Sequence, residues 1–418
     1  MVKLEVVIIG AGTGGLCLAH GLRSAGIRAR VFERDRGPAE RVQGYRLTIN
    51  SAGARALRSC LPPANFERYV AASAKVSTDV TFLDHRLRLL LRIDLPPTDQ
   101  SAPEAARPIS RIALRRILLE GVEETVAFGK TFAGFELTPQ GRVIARFEDG
   151  SSAEGDILIG ADGAASRVRR QLLPHAERID TGLIMVTGKF ALDATARRET
   201  PPPAFKGPTM ILGPRGGFMF TGAVEYPQGN SAQPPAYDRN EYVMFGFSTH
   251  RDILSIQGAP EDVSSEVARA AVLTQICDWS PDLRRLVERA EAPSLTAFTV
   301  KSSIPIRPWT TGRVTLLGDA LHNMTPFRGI GANTALRDSA LLRDRLRDIE
   351  SGHQGLVPAL AAYEHEMIDY GFSAVQASLA QMNRVHTRSS LKRFATKAAF
   401  RVLDSWPALR RLVMDLGN

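Results

Sequence analysis

Cysteine is scarce in this chain of 418 residues. Its three cysteines, Cys17, Cys60 and Cys277, are far apart and form no CxxC or Cys/His pattern. Such spacing excludes a disulfide framework and the common kinds of zinc site. We therefore expect a reducing, cytoplasmic environment and no bound metal.

Long apolar runs are also missing, because no window reaches eighteen apolar residues without a charge. A membrane-spanning helix is therefore not expected. The apolar stretch from Val6 to Ala19 is similar to the core of a signal peptide, but Glu5 interrupts its flank and a glycine motif lies inside it. We interpret this stretch as a strand followed by a turn.

Lysine is rare, since only eight of the fifty-three basic residues are lysine, although the formal net charge is +9. Excess positive charge can attract nucleic acid or anionic lipid. Here the arginines are spread along the whole chain, which favours a compositional bias over a nucleic-acid-binding patch. No nucleic-acid partner is expected, and part of the charge would attract the phosphates of a dinucleotide.

The chain contains an interleaved series of strands and helices. Residues 2–9, 13–25 and 28–33 predict a strand, a helix and a second strand, which together form a βαβ unit. Further on, Pro, Gly and Asn clusters separate short strands that predict an antiparallel sheet. These strands are expected at 183–190, 209–212, 217–224 and 242–248.

Three more elements complete this pattern. A strand at 314–317 is expected to return to the first sheet, and long helices are expected at 331–347 and 356–384. The sequence thus predicts an α/β fold of Rossmann type with an interleaved antiparallel sheet and C-terminal helices.

The motif GAGTGG lies directly between the first strand and the first helix. Gly10 permits the tight turn, Gly12 lets the backbone approach a pyrophosphate, and Gly15 lets helix and strand pack closely. Glu33 ends the second strand about twenty residues on, where a carboxylate binds ribose hydroxyls. The predicted dinucleotide-contacting residues here are Gly10, Gly12, Thr13, Gly14, Gly15, Glu33 and Arg34.

Two further motifs follow predicted strands. Asp162 and Gly163 form a turn after the strand at 154–160, where a carboxylate can accept backbone N–H bonds or act as an ordinary cap. In LLGDALHNMTPFRGIGANTAL, Asp319 could reach the ribityl hydroxyls of a flavin, and a helix beginning near Gly331 could stabilise negative charge on it. His322 in this segment is expected to be structural.

Together the three motifs resemble the group A flavoprotein monooxygenases, the family of para-hydroxybenzoate hydroxylase and of tetracycline-inactivating and polyketide-tailoring hydroxylases. The resemblance covers about residues 1–375. It implies an FAD-binding domain, a substrate-binding sheet domain and a C-terminal helical segment. The expected ranges are 1–75, 105–180 and 296–350 for the first, 76–104 and 181–295 for the second, and 351–418 for the third.

The resemblance also implies roles for individual residues. Arg41 and Arg111 match the arginines that contact the flavin cofactor, and Gln43 and Gly44 would lie beside its ring system. The bulky pair Tyr45 and Arg46 departs from the small residues often found there. The remaining cofactor contacts implied are Asp162, Gly163, Gly318, Asp319, Pro326, Gly329, Gly331, Ala332 and Asn333.

The family chemistry needs no catalytic side chain. NAD(P)H reduces FAD, and a flavin C4a-hydroperoxide formed with O2 transfers oxygen to an aromatic or polycyclic substrate. The protein positions the reactants, with Pro326 and Gln43 as candidate positioning residues. Two alternatives stay open: an FAD-dependent reductase or dehydrogenase of the same fold, and a non-catalytic flavin-binding protein. The tryptophan pair of a halogenase is absent.

Substrate contacts are expected on the antiparallel sheet, where aromatic and methionine side chains suit a planar ligand, although ordinary sheet core is the competing interpretation. The candidates are Met210, Phe218, Phe220, Met244 and Phe247.

The C-terminal stretch predicts a basic amphipathic helix. Packing on the body with a solvated basic face is the favoured interpretation, and contact with an anionic membrane is the alternative. A monomer or a homodimer is expected.

Overall fold

The computed structural model describes residues 4–38, 46–95, 99, 102–227, 240–254 and 256–406. Its strands are β1 (Glu5–Ile9), β2 (Arg28–Phe32), β3 (Arg46–Ile49), β4 (Asp79–Asp84), β5 (Leu89–Asp94), β6 (Arg107–Ser110), β7 (Val126–Ala127), β8 (Phe132–Leu137), β9 (Val143–Phe147), β10 (Ser152–Gly155), β11 (Ile157–Gly160), β12 (Arg178–Ala191), β13 (Thr209–Leu212), β14 (Phe218–Val224), β15 (Tyr242–His250), β16 (Thr296–Ser303) and β17 (Val314–Leu316).

The α-helices follow the same chain order. They are α1 (Thr13–Ser24), α2 (Ser51–Cys60), α3 (Pro63–Ala71), α4 (Arg111–Leu119), α5 (Arg167–Leu172), α6 (Ala194–Glu199), α7 (Ser265–Gln275), α8 (Pro281–Glu288), α9 (Asp319–His322), α10 (Gly331–Glu350), α11 (Leu356–Val385) and α12 (Ser390–Ser405).

A five-stranded parallel sheet in the order β17-β11-β1-β2-β7 forms the first layer. Its central strand β1 is a continuous apolar run because both faces of a parallel sheet are covered. The predicted return of the chain through β17 is confirmed. As a result, the carboxyl ends of β1, β2, β11 and β17 meet at one edge, where ligands bind in such sheets.

The second sheet has seven strands in the order β16-β12-β15-β14-β13-β4-β5. Its pairs are antiparallel except for β13 and β4, which run parallel. Two details differ from the sequence prediction. Strand β16 pairs with β12 here, although residues 296–303 were expected with the FAD-binding part. Strands β4 and β5 were not predicted, because their charged ends hide the apolar alternation.

One face of the seven-stranded sheet is an ordinary core. Side chains of α7 and α8, together with Trp279, pack against Val243, Phe245 and Phe247 on this face. The other face is turned towards the 3-10 turn Pro326–Arg328 and the end of α11. The second sheet therefore presents a single face to the part of the molecule that carries the sequence motifs.

The long helices connect the two parts. Helix α10 packs against α1, α2 and α11, and α12 lies against β5 at the edge of the larger sheet. Among the described residues, no helix combines the length and the apolar character needed to cross a membrane.

Candidate cofactor and substrate site

The glycine motif forms the turn from β1 into α1. Gly10 has a φ of +110°, and a Cβ there would lie 2.4 Å from the carbonyl oxygen of Ala161. A Cβ on Gly15 would lie 2.1 Å from the carbonyl oxygen of Gly10. Neither position can hold a side chain. Gly12, by contrast, has open space beside it and leads into Thr13 and Gly14 at the start of the helix.

Glu33 lies at the end of β2 and is almost completely buried. Its two carboxylate oxygens accept the backbone N–H groups of Ala11 at 2.7 Å and Asp35 at 3.0 Å. The first bond fixes Glu33 directly against the glycine turn. This is the arrangement expected for a carboxylate that holds a ribose beside the pyrophosphate.

Asp162 follows β11 and faces the same turn. Its Oδ2 accepts the backbone N–H of Arg167 at 2.7 Å and of Val168 at 3.3 Å, so one oxygen caps α5. Its Oδ1 is buried and has no hydrogen-bond partner among the residues that the structure describes. Buried polar atoms are nearly always paired in folded proteins, so Oδ1 indicates a ligand contact.

A cleft of about 530 Å³ joins these elements. It runs from Glu33 and Asp35 past Gly12 to Asp162 and Gly163. The cationic side chains that line it are Arg34, Arg111, Arg115, Arg116, Lys130, Arg167 and Arg170.

Some of these cations already have acidic partners. Arg115 pairs with Asp35 at 3.1 Å, and Lys130 pairs with Asp149 at 2.5 Å. Cations still outnumber carboxylates around the cleft, so its potential favours a diphosphate.

The third motif follows β17. Gly318 has a φ of +64°, and Asp319 opens the short helix α9. A Cβ on Gly331, the first residue of α10, would lie 3.8 Å from Oδ1 of Asp319. The carboxylate of Asp319 therefore lies close to the N-terminus of α10, which has Ala332 in its first turn. Gly329, with a φ of +62°, and Pro326 form the turn between them.

Asn333 has a structural role that the sequence did not reveal. Its Oδ1 accepts the backbone N–H of Asn50 at 2.8 Å, and its Nδ2 donates to the carbonyl oxygen of Thr48 at 2.9 Å. The amide therefore fastens the start of α10 to the turn between β3 and α2. A role of Asn333 in holding the cofactor would be through its backbone N–H.

Three predicted contacts, Arg41, Gln43 and Gly44, lie outside the described residues, as does Tyr45. Arg46 follows them on β3 and is half-buried. Burial lowers the pKa of Arg46, and among the described residues its electrostatic partner is the phenol of Tyr242. The sequence analysis noted only that Arg46 is bulky. It did not predict that Arg46 is a desolvated cation beside the larger sheet.

The predicted substrate contacts divide between the two faces of the larger sheet. Phe218 and Phe220 lie on the face turned towards Pro326, together with Met210 and Met244. Phe247 lies on the opposite face, where its ring packs 5.8 Å from that of Trp279. The reason is geometric, because Met244 and Phe247 are three residues apart and strand side chains alternate. Phe247 is therefore a core residue.

An aromatic cluster that sequence reasoning missed covers this face. The ring of Phe327 lies 5.9 Å from that of Phe218 and 4.8 Å from that of His386, and Phe400 of α12 lies 4.9 Å from Phe82. Phe327 lies within the third motif but was not singled out there, and α11 and α12 bring His386 and Phe400 from the end of the chain.

His386 is held as a neutral imidazole. Its Nδ1 donates to the carbonyl oxygen of Met382 at 2.9 Å, and its Nε2 accepts the hydroxyl of Ser248 at 2.8 Å. Burial lowers the pKa of His386 to about 4. The aromatic cluster therefore carries no extra charge at neutral pH.

His322, the last residue of α9 within the third motif, is almost completely buried. Its Nε2 lies 2.7 Å from Oδ2 of Asp338, which also accepts the backbone N–H of Gly318 at 2.7 Å. Burial alone would lower the pKa of His322, but Asp338 outweighs it and the pKa is raised. His322 is part of the support of the turn, as the sequence analysis expected.

The comparisons with known proteins agree with this geometry. Residues 3–378 match the family model described as an FAD binding domain. A solved structure of a candidate FAD containing monooxygenase from Photorhabdus luminescens subsp. laumondii is 34% identical, covering 93% of this chain and 100% of that chain with a TM-score of 0.82. The chain belongs to the FAD-dependent monooxygenase family.

Two further members of this flavoprotein family are similar to the chain. The dual O-methyltransferase/FAD-dependent monooxygenase elcB of Phaeosphaeria nodorum is 29% identical over 90% of this chain and 45% of that protein. The chain thus spans less than half of its length. Aurachin C monooxygenase/isomerase of Stigmatella aurantiaca is 29% identical over 86% of this chain and 84% of that protein.

The residues of this family member fit FAD. The glycine turn leaves open space beside Gly12, where a diphosphate would approach, and Oδ1 of Asp162 lacks a partner among the described residues that a ligand would supply. Glu33 and Asp319 lie at the ends of β2 and β17, on the same edge of the sheet. An extended dinucleotide can contact all of these groups at once.

Proposed function

We propose that the chain is an NAD(P)H- and O2-dependent monooxygenase that hydroxylates or epoxidises an aromatic or polycyclic small molecule. One observation supports an aromatic or polycyclic substrate. Phe327, directly after Pro326 in the third motif, packs against Phe218 on the aromatic face of the larger sheet. The flavin motif and an apolar, aromatic surface thus meet at one place, which suits a planar ligand.

FAD, when bound, supplies the electron transfer and the oxygen chemistry. The described residues bind it, since the glycine turn and the cationic cleft take the diphosphate while Glu33 and Asp319 accept hydroxyl hydrogen bonds. The N-terminus of α10 at Gly331 stabilises negative charge that develops on the flavin ring. We assign no side chain as a catalytic acid or base, and Pro326 and Gln43 are proposed only to position the reactants.

The aromatic face has two tasks in this proposal. Phe220, Met210 and Met244 stack against the substrate, and the apolar surroundings keep bulk water away from the reacting oxygen. Arg46, on β3 beside this sheet, is suited to a phenolate or enolate oxygen of the substrate, because a desolvated guanidinium gains most from pairing with an anion.

NAD(P)H is proposed as a transient co-substrate. The chain has one glycine fingerprint for a dinucleotide, and that fingerprint is assigned to FAD. The nicotinamide nucleotide would therefore approach from the outer side of the cleft, where Arg167 and Arg170 lie. Removing both charges should weaken NAD(P)H binding more than FAD binding, because the glycine turn and the other cations of the cleft still hold the FAD diphosphate.

The decisive experiment follows the reduced, FAD-loaded protein after mixing with O2, with and without phenolic, quinoline and polyketide aromatics. One compound should accelerate return to the oxidised flavin spectrum, and it should gain one oxygen atom from labelled O2. Reduction of a compound without oxygen incorporation would favour the reductase alternative. No effect of any compound on the flavin would favour a non-catalytic flavin-binding protein.

A further inference from the structure

Helix α12 turns its apolar side away from the protein. In the described part of the chain, ten large apolar side chains are strongly exposed, and four of them lie on α12 or directly after it. They are Leu391 at 75%, Phe394 at 70%, Val402 at 51% and Trp406 at 66% exposed. The other six are scattered over separate elements, so α12 is the place where they collect.

The inward side of α12 carries the polar contacts. Oδ1 of Asp404 accepts the backbone N–H of Arg92 at 2.9 Å, and Lys397 lies in the electrostatic field of Asp84. Phe400 is the aromatic anchor on this side, against Phe82. The sequence analysis favoured packing with a solvated basic face. Helix α12 does pack on the body and exposes cations, but its solvated side also carries large apolar side chains that this interpretation did not place there.

The exposed side chains form one stripe. At about 100° per residue, Leu391, Phe394 and Val402 lie within about a quarter of the helix circumference, and Trp406 follows directly after the last helical residue. Lys392 lies on one flank of the stripe and Arg401 on the other, and both are exposed. We call these six residues the α12 stripe. An apolar stripe between two cationic flanks is the pattern of helices that lie in the surface of an anionic membrane.

We propose that the α12 stripe docks the protein on an anionic lipid surface, with the helix lying in the plane of that surface. Leu391, Phe394, Val402 and Trp406 enter the boundary between headgroups and acyl chains, and Lys392 and Arg401 contact the phosphates. The net charge of +9 adds a longer-range attraction of the same sign.

The charges favour lipid over a second copy of the chain. Two copies that met through the α12 stripe would gather four cations, Lys392 and Arg401 of each copy, around one apolar contact with no carboxylate of the stripe to pair with them, and like charges at an interface are repulsive. An anionic bilayer can bury the apolar side chains of the stripe and pair its lipid phosphates with the cations on both flanks. Exposed apolar groups of this extent on a folded protein generally mark an interaction surface.

Docking would also bring lipid close to the aromatic face of the larger sheet, because Phe400 on the inner side of α12 packs against Phe82 of that cluster. A lipophilic substrate could then pass from the bilayer to the protein. This consequence rests on the proposed function. Binding to vesicles does not depend on the proposed function, so an experiment can refute either proposal without refuting the other.

The test uses the full, FAD-loaded chain and vesicles of phosphatidylcholine, alone or mixed with phosphatidylglycerol. The protein should sediment with the mixed vesicles at least about tenfold more strongly than with phosphatidylcholine alone. The double variant Leu391→Ser/Phe394→Ser should lose about tenfold or more of this binding, because two side chains no longer enter the acyl region. Lys392→Gln/Arg401→Gln should lose about tenfold of the preference for phosphatidylglycerol.

A control replaces two exposed apolar side chains elsewhere on the protein by serine. Leu137 and Val357 are 61% and 47% exposed on β8 and α11, so Leu137→Ser/Val357→Ser should bind vesicles like the unsubstituted protein. Trp406 is an internal reporter, since Trp279 is buried and Trp309 is half-buried. Its emission should shift to shorter wavelength with mixed vesicles, and Trp406→Phe should abolish the shift.

Three results would overturn the proposal. The first is that the unsubstituted protein does not bind mixed vesicles. The second is that Leu391→Ser/Phe394→Ser binds mixed vesicles as tightly as the unsubstituted protein, because binding would then come from the net charge alone. The third is a lipid-free dimer that Leu391→Ser/Phe394→Ser dissociates, without vesicle binding by either protein. Unchanged flavin absorbance and melting temperature in each variant show that it is folded.

Discussion

The carboxylate of Asp338 and the imidazole of His322 form a buried pair, with Oδ2 and Nε2 separated by 2.7 Å. The same oxygen accepts the N–H of Gly318, and Oδ1 accepts the hydroxyl of Tyr370 at 2.5 Å. Asp338 therefore joins the turn after β17, helix α9 and helix α11. The position of Asp319 at the cofactor edge depends on this buried support.

Replacing His322 should destabilise the protein without acting on the chemistry directly. His322→Ala leaves the carboxylate of Asp338 buried without its cation, which should cost about 3 kcal/mol of unfolding free energy or more. Urea unfolding measures this loss, and His353→Ala on an exposed loop is the control. Equal stability of His322→Ala and the unsubstituted protein would refute the role of this pair.

The same variant should show a defined pH dependence. Because the folded pKa of His322 is raised above its usual 6.5, the pair contributes fully below that value and its contribution is lost as pH rises through the folded pKa. The stability difference between the unsubstituted protein and His322→Ala should therefore be largest in acid. A difference that grows towards alkaline pH would contradict the raised pKa.

His386 should lower the stability of the folded protein, rather than raise it, as the pH falls. Its folded pKa of about 4 lies below the usual 6.5, so the unfolded chain binds the proton first as pH falls. Relative to His386→Asn, the unsubstituted protein should lose roughly 2 kcal/mol of unfolding free energy between about pH 7 and pH 5. Parallel pH profiles of the two proteins would show that His386 is not held neutral.

Asp319→Ala should weaken FAD retention about tenfold or more, because it removes the carboxylate that we propose accepts hydrogen bonds from the ribityl hydroxyls. The flavin-to-protein absorbance ratio after dialysis measures this loss. Asp369→Ala, an exposed aspartate on α11, is the matched control and should keep its flavin. Full occupancy in purified Asp319→Ala would remove Asp319 from the cofactor site.

Two phenylalanines on neighbouring strands should respond differently. Phe247→Ala opens a cavity in the core beside Trp279 and should cost about 3–5 kcal/mol of unfolding free energy. Phe220→Ala, on the half-buried aromatic face, should cost less stability but raise KM for the substrate identified by oxygen transfer. The opposite pattern, in urea unfolding and steady-state kinetics, would place the substrate on the other face of the sheet.

The cofactor site was largely predictable because its determinants are local. Gly10, Glu33, Asp162 and Asp319 each follow a strand, and strands of a parallel sheet bring their carboxyl ends to one edge. The substrate face was only partly predictable. The alternation of strand side chains already separates Phe247 from Met244, whereas the positions of Phe327 and His386 depend on how α11 crosses the sheet.

The sequence by itself determined the nucleotide-binding turn, the carboxylates around it and the amphipathic character of α12, because each depends on neighbours within a few residues. Only the tertiary structure decided what those features contact. It paired His322 with Asp338 across sixteen residues, engaged the amide of Asn333 in a strand connection, and turned the apolar stripe of α12 outward. The physical reason is that the direction in which a helix presents its faces depends on the surface it meets. Here the surface that α12 meets is formed by β5, which provides a backbone N–H donor, and by Phe82, which provides an aromatic ring.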